Sequence, residues 1–291
     1  MVPAKQYIEE FSFINWKRAM NNKFRKTLLA FAVTAVCAFG ANVASAQTTV
    51  FADFTVNPTG TAANFVADKI TGNYTEIANF NPDGTFTANL VWTAAAFVTD
   101  DGKTQLNASQ TGLSSQYGIY ALYSAAGTYS TNTGTGRTDF FFTPGTGALA
   151  VYLDQTNNTT FSAGESSYTV AGNTDDLILA NGQPLSGNGF IDPRNSQCGT
   201  GIFCGAFGST TTFNLTTNGS EFFIAPSPFY NLSFQSGQVN NFTPAGRQLV
   251  NGSLDVAFND VPEPASLALL GLGLVGLGLS RSRKSAKSKN A

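Results

Sequence analysis

Apolar and polar residues alternate along much of the chain between residues 47 and 260. In residues 86–92 every second residue is apolar, and Leu254, Val256 and Phe258 repeat this pattern near the end of the region. A period of two is typical of β-strands with one buried face. Further strands are predicted at residues 74–80, 117–123, 149–153, 211–216, 221–224 and 230–235.

Turn-forming residues separate these predicted strands. The sequence Asn-Pro-Asp-Gly at residues 81–84 predicts a hairpin turn. Residues 127–136 are rich in Thr, Gly and Asn and predict a loop, and the Gly-rich residues 181–209 predict an irregular excursion. Short strands with frequent turns predict an all-β fold, an antiparallel sandwich or jelly-roll-like domain over residues 47–260.

Composition favours an extracellular β-protein. Charged residues make up 12% of the chain, about half of the usual share. Small polar residues replace them, and there are 25 phenylalanines. Residues 47–264 contain five basic and 16 acidic residues, a net charge of −11. This acidic balance argues against nucleic acid as a partner.

The chain contains no histidine. Catalytic Ser-His-Asp and Cys-His sites are therefore excluded, together with the commonest ligand of zinc and copper. Glycoside hydrolysis by two carboxylates does not need histidine, but the acidic residues are scattered and the sequence identifies no such pair. We expect a protein without enzymatic activity, with a carboxylate-dependent glycan hydrolase as the alternative.

The N-terminal region has the three parts of a secretory signal peptide. Residues 22–26 are basic, residues 28–39 are apolar, and Ala44 and Ala46 flank a cleavage site. Export by the Sec machinery and cleavage by signal peptidase would leave Gln47 as the first mature residue. Met20 is the more natural start, so we interpret residues 1–19 as an upstream extension and residues 20–46 as the signal helix.

Residues 261–291 contain a short motif, an apolar segment and a basic end, in that order. The motif is Val261, Pro262, Glu263 and Pro264, and the basic end, residues 280–291, includes Arg281, Arg283 and Lys284. The apolar residues 265–279 predict a short transmembrane helix about 22 Å long, which is thin for a hydrocarbon core of about 30 Å. The positive-inside rule places the basic end in the cytoplasm and the preceding domain outside.

These three parts resemble the PEP-CTERM sorting signal of Gram-negative bacteria. The resemblance implies a membrane-anchored precursor that an exosortase recognises and cleaves near residues 262–264. The product would then be released from the cell or attached to its surface or extracellular matrix. A simple tail anchor with a Pro-rich linker is the alternative.

The central region resembles the flocculation-associated PEP-CTERM proteins. The segments that carry this resemblance are residues 67–76, 117–123, 173–179 and 222–229. The resemblance implies cell aggregation with exopolysaccharide, in floc or biofilm formation, and no known catalytic residues. A structural coat protein without a specific ligand is a further alternative.

Two cysteines, Cys198 and Cys204, lie in the Gly-rich stretch. Outside the cytoplasm a disulfide is the default state of such a pair. A ring this small is expected to stabilise the fold by about 2–3 kcal/mol. A redox role would favour the tighter Cys-x-x-Cys spacing, so we expect a disulfide that holds a loop.

One segment has the spacing of a calcium loop. Counted from Asp154 as the first place, Asn158 is at the fifth place and Glu165 at the twelfth, where such loops carry oxygen ligands. Thr159 replaces the glycine that the loop requires, and no flanking helices are predicted, so a solvated hairpin loop is the alternative. No other cofactor is expected.

Overall fold

The structure is a computed structural model that describes residues 51–58, 63–201 and 203–259. Strands dominate this part of the chain and pair in antiparallel sheets, which confirms the all-β prediction. The predicted signal helix, the sorting motif and the C-terminal helix lie outside the described residues. None of the described helices has the length and apolar character needed to cross a membrane.

The described residues form seventeen strands and three short helices. The strands are β1 (Phe54–Val56), β2 (Phe65–Ala67), β3 (Lys69–Phe80), β4 (Thr85–Thr99), β5 (Thr104–Gln105), β6 (Gly118–Thr131), β7 (Thr138–Phe142), β8 (Ala148–Asp154), β9 (Thr160–Ala163), β10 (Tyr168–Ala171), β11 (Leu177–Gly182), β12 (Pro184–Ile191), β13 (Gly205–Thr211), β14 (Asn214–Leu215), β15 (Phe223–Ala225), β16 (Asn231–Val239) and β17 (Gly246–Asn259). The helices are α1 (Ala108–Thr111), α2 (Thr217–Phe222) and a 3₁₀ turn at Cys198–Thr200.

Twelve strands form one sheet in the order β14-β11-β8-β6-β7-β12-β13-β16-β17-β3-β4-β5. Strand β6 also pairs with β4, from Thr85↔Thr128 to Thr93↔Tyr120. This additional pairing closes eight of the strands into a ring, and β8, β11 and β14 continue the sheet from β6. Closure leaves few unpaired strand edges, which are the usual sites of aggregation.

Side chains on the inner face form rows across β3, β4 and β6. The successive rows are Phe80, Phe86 and Gly127; Ala78, Ala88 and Ala125; Glu76, Leu90 and Tyr123; and Tyr74, Trp92 and Ala121. A row of three alanines thus separates rows of large side chains. Because interiors are otherwise filled to high density, this row leaves room for a cavity beside it.

Aromatic side chains fill the end of the core near the first strand. Phe54 of β1 lies against Phe223, Phe229 and Phe258, with ring centroids 6.0, 6.4 and 4.9 Å away. Most of these pairs meet edge to face, which is the favoured arrangement of aromatic rings. The small sheet β15-β1-β2 is therefore held to the closed sheet by phenylalanine packing.

The turn at residues 81–84 is confirmed, since the backbone amide of Asn81 donates to the carbonyl of Thr85 at 2.9 Å. Three other local predictions were wrong in part. Strand β6 runs into the predicted loop at 127–136 as far as Thr131, and a turn follows only from Asn132 to Arg137. The predicted excursion at 181–209 contains β12 and β13, and the predicted strand at 221–224 begins inside α2.

Backbone pairing explains these three differences. Residues 127–131 pair with β7, and β12 and β13 lie between β7 and β16, so hydrogen bonds order segments whose side chains show no clear alternation. Helix α2 begins because the Thr216 hydroxyl accepts a hydrogen bond from the Gly219 amide at 3.1 Å. The capping hydrogen bond stabilises a helix in a segment whose short apolar pattern predicted a strand.

Candidate functional site

A groove of about 390 Å³ crosses the outer face of β7, β12, β13 and β16. Cross-strand pairing brings Phe141, Asn188 and Gln235 to this face, since Asn188 pairs with both Phe141 and Gly208, and Gly208 pairs with Gln235. The hydroxyl-bearing residues Ser186, Thr210 and Ser233 follow on the same face, one pleat further along each strand. We call these six side chains, from Phe141 to Gln235, the outer groove.

Phe141 is the aromatic centre of the outer groove. Its side chain is 54% exposed, and it is the only aromatic residue among the large exposed hydrophobic residues of the described ranges. Its neighbours Phe140 and Phe142 point to the inner face and pack against Phe86. Because side chains alternate along a strand, burying both neighbours forces the Phe141 ring outward.

An ion pair and an aromatic ring adjoin the outer groove. The Arg137 side chain donates to one carboxylate oxygen of Asp139 through two nitrogens, at 2.9 and 2.7 Å. Its guanidinium carbon lies 4.1 Å from the centre of the Phe190 ring. Phe190 follows Asn188 by two residues on the same strand, so this stack extends the aromatic surface beyond Phe141.

Polar oxygen and nitrogen atoms beside a flat exposed ring suit a ligand with apolar faces and polar edges, as a sugar ring has. Hydroxyl and amide groups can donate and accept hydrogen bonds at the edges of such a ligand. The groove residues of β12, β13 and β16 carry no formal charge. The groove therefore favours neutral, hydroxyl-rich ligands.

Three carboxylates meet where β8 ends and β11 begins. Oxygen atoms of Asp154, Asp175 and Asp176 lie within 4.8 Å of one another. Tyr120 donates a hydrogen bond to Asp176 at 2.6 Å, and Thr156 donates to Asp175 at 2.8 Å. These carboxylates are the described residues that could hold a cation.

The ligand set predicted for calcium, Asp154, Asn158 and Glu165, is not the set that the fold brings together. Asn158 donates its backbone amide to Asp154 at 3.2 Å, as Thr156 and Thr159 also do. Glu165 lies instead in the turn between β9 and β10, where its carbonyl oxygen accepts a bond from Arg247 at 3.1 Å. The Asp154 carboxylate thus stabilises the turn that follows β8. Glu165 belongs to a different turn, the one between β9 and β10.

Cys198 and Cys204 form a disulfide with a Cα–Cα distance of 4.3 Å. Both cysteines are buried and pack with Ile191, and Phe140 and Phe242 lie against this cluster. The bond holds the irregular segment between β12 and β13 against the end of the closed sheet.

The residues predicted to direct sorting lie outside the described ranges: Ala44, Ala46, Gln47, Val261, Pro262, Glu263, Pro264, Arg281, Arg283 and Lys284. A family model described as the PEP-CTERM protein-sorting motif matches residues 260–284. The chain is a PEP-CTERM motif-containing protein. The match spans the motif, the apolar segment and the first basic residues of the end.

This PEP-CTERM protein is exported, directed to the cell surface and processed by an exosortase. No curated protein and no solved structure shows significant similarity to the chain. The role of its β-domain therefore has to be inferred from its own surfaces.

Sequence reasoning did not identify the outer groove. The signal was present in the run Asp-Phe-Phe-Phe at residues 139–142, because three consecutive phenylalanines in a strand cannot all face one side. The hydroxyl and amide residues gave no such signal: Ser186 and Asn188 lie in the stretch predicted to be irregular, and nothing in the sequence pairs them with Ser233 and Gln235 of the predicted strand at 230–235.

Proposed function

We propose that the exported protein promotes flocculation or biofilm formation by binding exopolysaccharide, without catalysing a reaction. The observation that supports this proposal is the exposed Phe141 ring in a groove of uncharged hydroxyl and amide side chains. The groove offers a ring face for the C–H surface of a sugar and polar atoms for its hydroxyls. Sorting to the cell surface brings this groove to the place where such polymers are found.

Binding to a polymer does not require a tight single site. A polysaccharide repeats the same unit, and many protein copies on one surface can engage it together, so avidity multiplies a weak contact. Cells that share such a polymer would be linked into aggregates.

Charge restricts which polymers fit. Residues 47–264 carry a net charge of −11, so a polyanionic polymer would be repelled unless cations screen or bridge the charges. A neutral polymer is not repelled by the acidic domain and does not need cations in order to bind. We therefore expect binding to a neutral exopolysaccharide at any calcium level, and binding to an acidic one only when divalent cations are supplied.

The test is retention of the exported protein on immobilised exopolysaccharide from the producing cells. Phe141→Ala should weaken retention at least fivefold, the equivalent of about 1 kcal/mol. The matched control is Leu249→Ala, which removes a side chain that is 46% exposed on β17. The control should bind as the wild type does.

Retention is measured with calcium and with a chelator, so that bridging is separated from direct contact. Equal binding by both variants would remove the outer groove from the proposal. Absence of retention at every calcium level would overturn the polysaccharide proposal itself.

A further inference from the structure

An interior cavity of about 40 Å³ lies beside Ala78, at one end of the row of alanines, and is partly open to solvent. Aromatic rings make up most of its wall: Tyr74, Phe80, Phe86, Phe140, Phe142, Phe190, Phe207 and Phe242. Phe242 belongs to the segment between β16 and β17, and its ring stacks on Phe80 with centroids 5.7 Å apart. Phe142 borders both this cavity and the groove, but none of the six side chains that define the outer groove lines the cavity.

One carboxylate, that of Glu76, borders this aromatic cavity. Glu76 pairs with Leu90 and Val250 on the neighbouring strands, so its side chain points to the inner face. It makes no hydrogen bond and no ion pair with any described residue. Burial alone raises the pKa of this carboxyl from 4.5 to about 7. Near neutral pH the protonated and the ionised forms of Glu76 are therefore both populated.

A second polar group on the same wall also lacks a partner. The Tyr74 side chain is 2% exposed, and its hydroxyl, close to Ser236, makes no hydrogen bond of normal geometry in the described structure. Buried polar atoms are almost always paired, and an exception calls for an explanation such as an absent ligand. The other titratable groups near Glu76 are Tyr123 and Tyr168, with Arg247 close to Tyr168, and no described cation forms an ion pair with Glu76.

We propose that this cavity binds a small organic cation, the ammonium end of an amine, with Glu76 as its counter-ion. An ionised carboxylate without a partner is costly in an apolar wall, and a bound cation removes that cost. The seven phenylalanine rings of the wall stabilise the same charge through cation–π attraction. A neutral guest would leave the carboxylate unpaired, and an anion would be repelled.

The cavity size limits the guest. A single water molecule needs ~10–15 Å³ of such space, so 40 Å³ accommodates about three atoms of the second row. Ethylammonium fits this limit, whereas a trimethylammonium group with an aromatic substituent does not. A guest of three atoms binds at best in the millimolar range.

The experiment titrates ethylammonium into the full chain carrying carboxyl-labelled glutamate, and follows the labelled carbons by NMR. The chain has six glutamates, which keeps the spectrum simple: Glu9, Glu10, Glu76, Glu165, Glu221 and Glu263. The Glu76 signal should shift saturably at millimolar ethylammonium. Ethanol, a neutral guest of equal size, and acetate should leave it unchanged.

Binding should depend on pH because only the ionised carboxylate attracts the cation. Affinity at pH 8.5 should exceed that at pH 5.5 by at least ~10-fold. Ethylammonium should correspondingly lower the pKa of Glu76. Benzyltrimethylammonium should not bind at either pH.

Two variants complete the test. Glu76→Gln should abolish saturable binding, followed through the aromatic signals of the cavity, while Glu221→Gln changes an exposed glutamate and should bind as the wild type does. Binding that survives Glu76→Gln, or equal shifts with ethanol and ethylammonium, would overturn the proposal. So would the absence of any saturable shift in the wild type. None of these three results bears on polysaccharide retention, which depends on the outer groove.

Discussion

Trp92 donates a buried hydrogen bond from Nε1 to the carbonyl oxygen of Leu254, at 2.9 Å. The two residues belong to β4 and β17, which are separated by β3. The indole can reach across because Gly72 of β3 lies between them and has no side chain. A methyl group on Gly72 would collide with Trp92 Nε1 and with the carbonyl oxygen of Thr93.

Gly72→Ala is therefore expected to destabilise the protein by about 2–3 kcal/mol, through overpacking and loss of the indole hydrogen bond. Urea unfolding followed by the fluorescence of Trp92 measures this change. Gly199→Ala is the matched control, because a methyl group there meets nothing within 4 Å. Similar unfolding midpoints for the two variants would show that Trp92 repacks without cost.

Glu76 should make stability fall as pH rises. Its carboxyl has a pKa of about 7 in the folded protein against 4.5 as the ordinary value. Between these values the folded state holds more protons than the unfolded state, so the free energy of unfolding decreases with rising pH, by about 3 kcal/mol in all. Below a pH of about 4.5 this contribution is constant.

Glu76→Gln removes that dependence. The variant should match the wild type near pH 5 and exceed its stability near pH 8, with Glu165→Gln as an exposed control. Chemical unfolding at a series of pH values gives the difference curve, in which contributions from other groups cancel. A flat difference curve would mean that the Glu76 carboxyl is solvated in the folded protein.

Asp154 should matter for stability more than its cluster neighbour Asp175. Its carboxylate is buried and accepts the backbone amides of Thr156, Asn158 and Thr159. Asp154→Ala leaves these three donors without an acceptor, which should cost about 2–4 kcal/mol. Asp175→Ala loses a single bond from Thr156 and should cost less than about 1 kcal/mol. Thermal unfolding of the two variants measures the difference, and equal losses would contradict the assigned role of Asp154.

The sequence predicted strands where one face is buried and the other polar. In β4, Phe86, Leu90 and Trp92 face the core as the alternation indicated. The prediction from alternation failed where backbone pairing rather than side-chain burial orders the strand. This is the case in β12 and β13, whose Gly, Ser and Asn residues are typical of loops. Hydrogen bonds to neighbouring strands do not require alternating apolar residues, so apolar periodicity could not predict β12 and β13.

The acidic cluster shows a second limit of sequence reasoning. Asp176 joins Asp154 because Leu177 of β11 pairs with Leu153 of β8. That pairing connects segments more than twenty residues apart, and no local spacing encodes it. The spacing from Asp154 to Glu165 looked like a calcium loop, but β9 and the start of the turn towards β10 occupy that interval.

The sorting motif predicts where the exported protein ends. Proline favours an extended backbone and lacks an N–H donor, which are properties that suit a segment recognised by an enzyme. Intact-mass analysis of the exported protein should give a C-terminus near these residues, without the apolar segment and the basic end. In cells lacking the exosortase the full tail should persist, and the protein should stay in the membrane fraction.

Pro262→Ala combined with Pro264→Ala should reproduce that retention in normal cells. An intact tail in both strains would show that residues 261–291 act only as an anchor, and the outer groove would then have to work on membrane-bound protein.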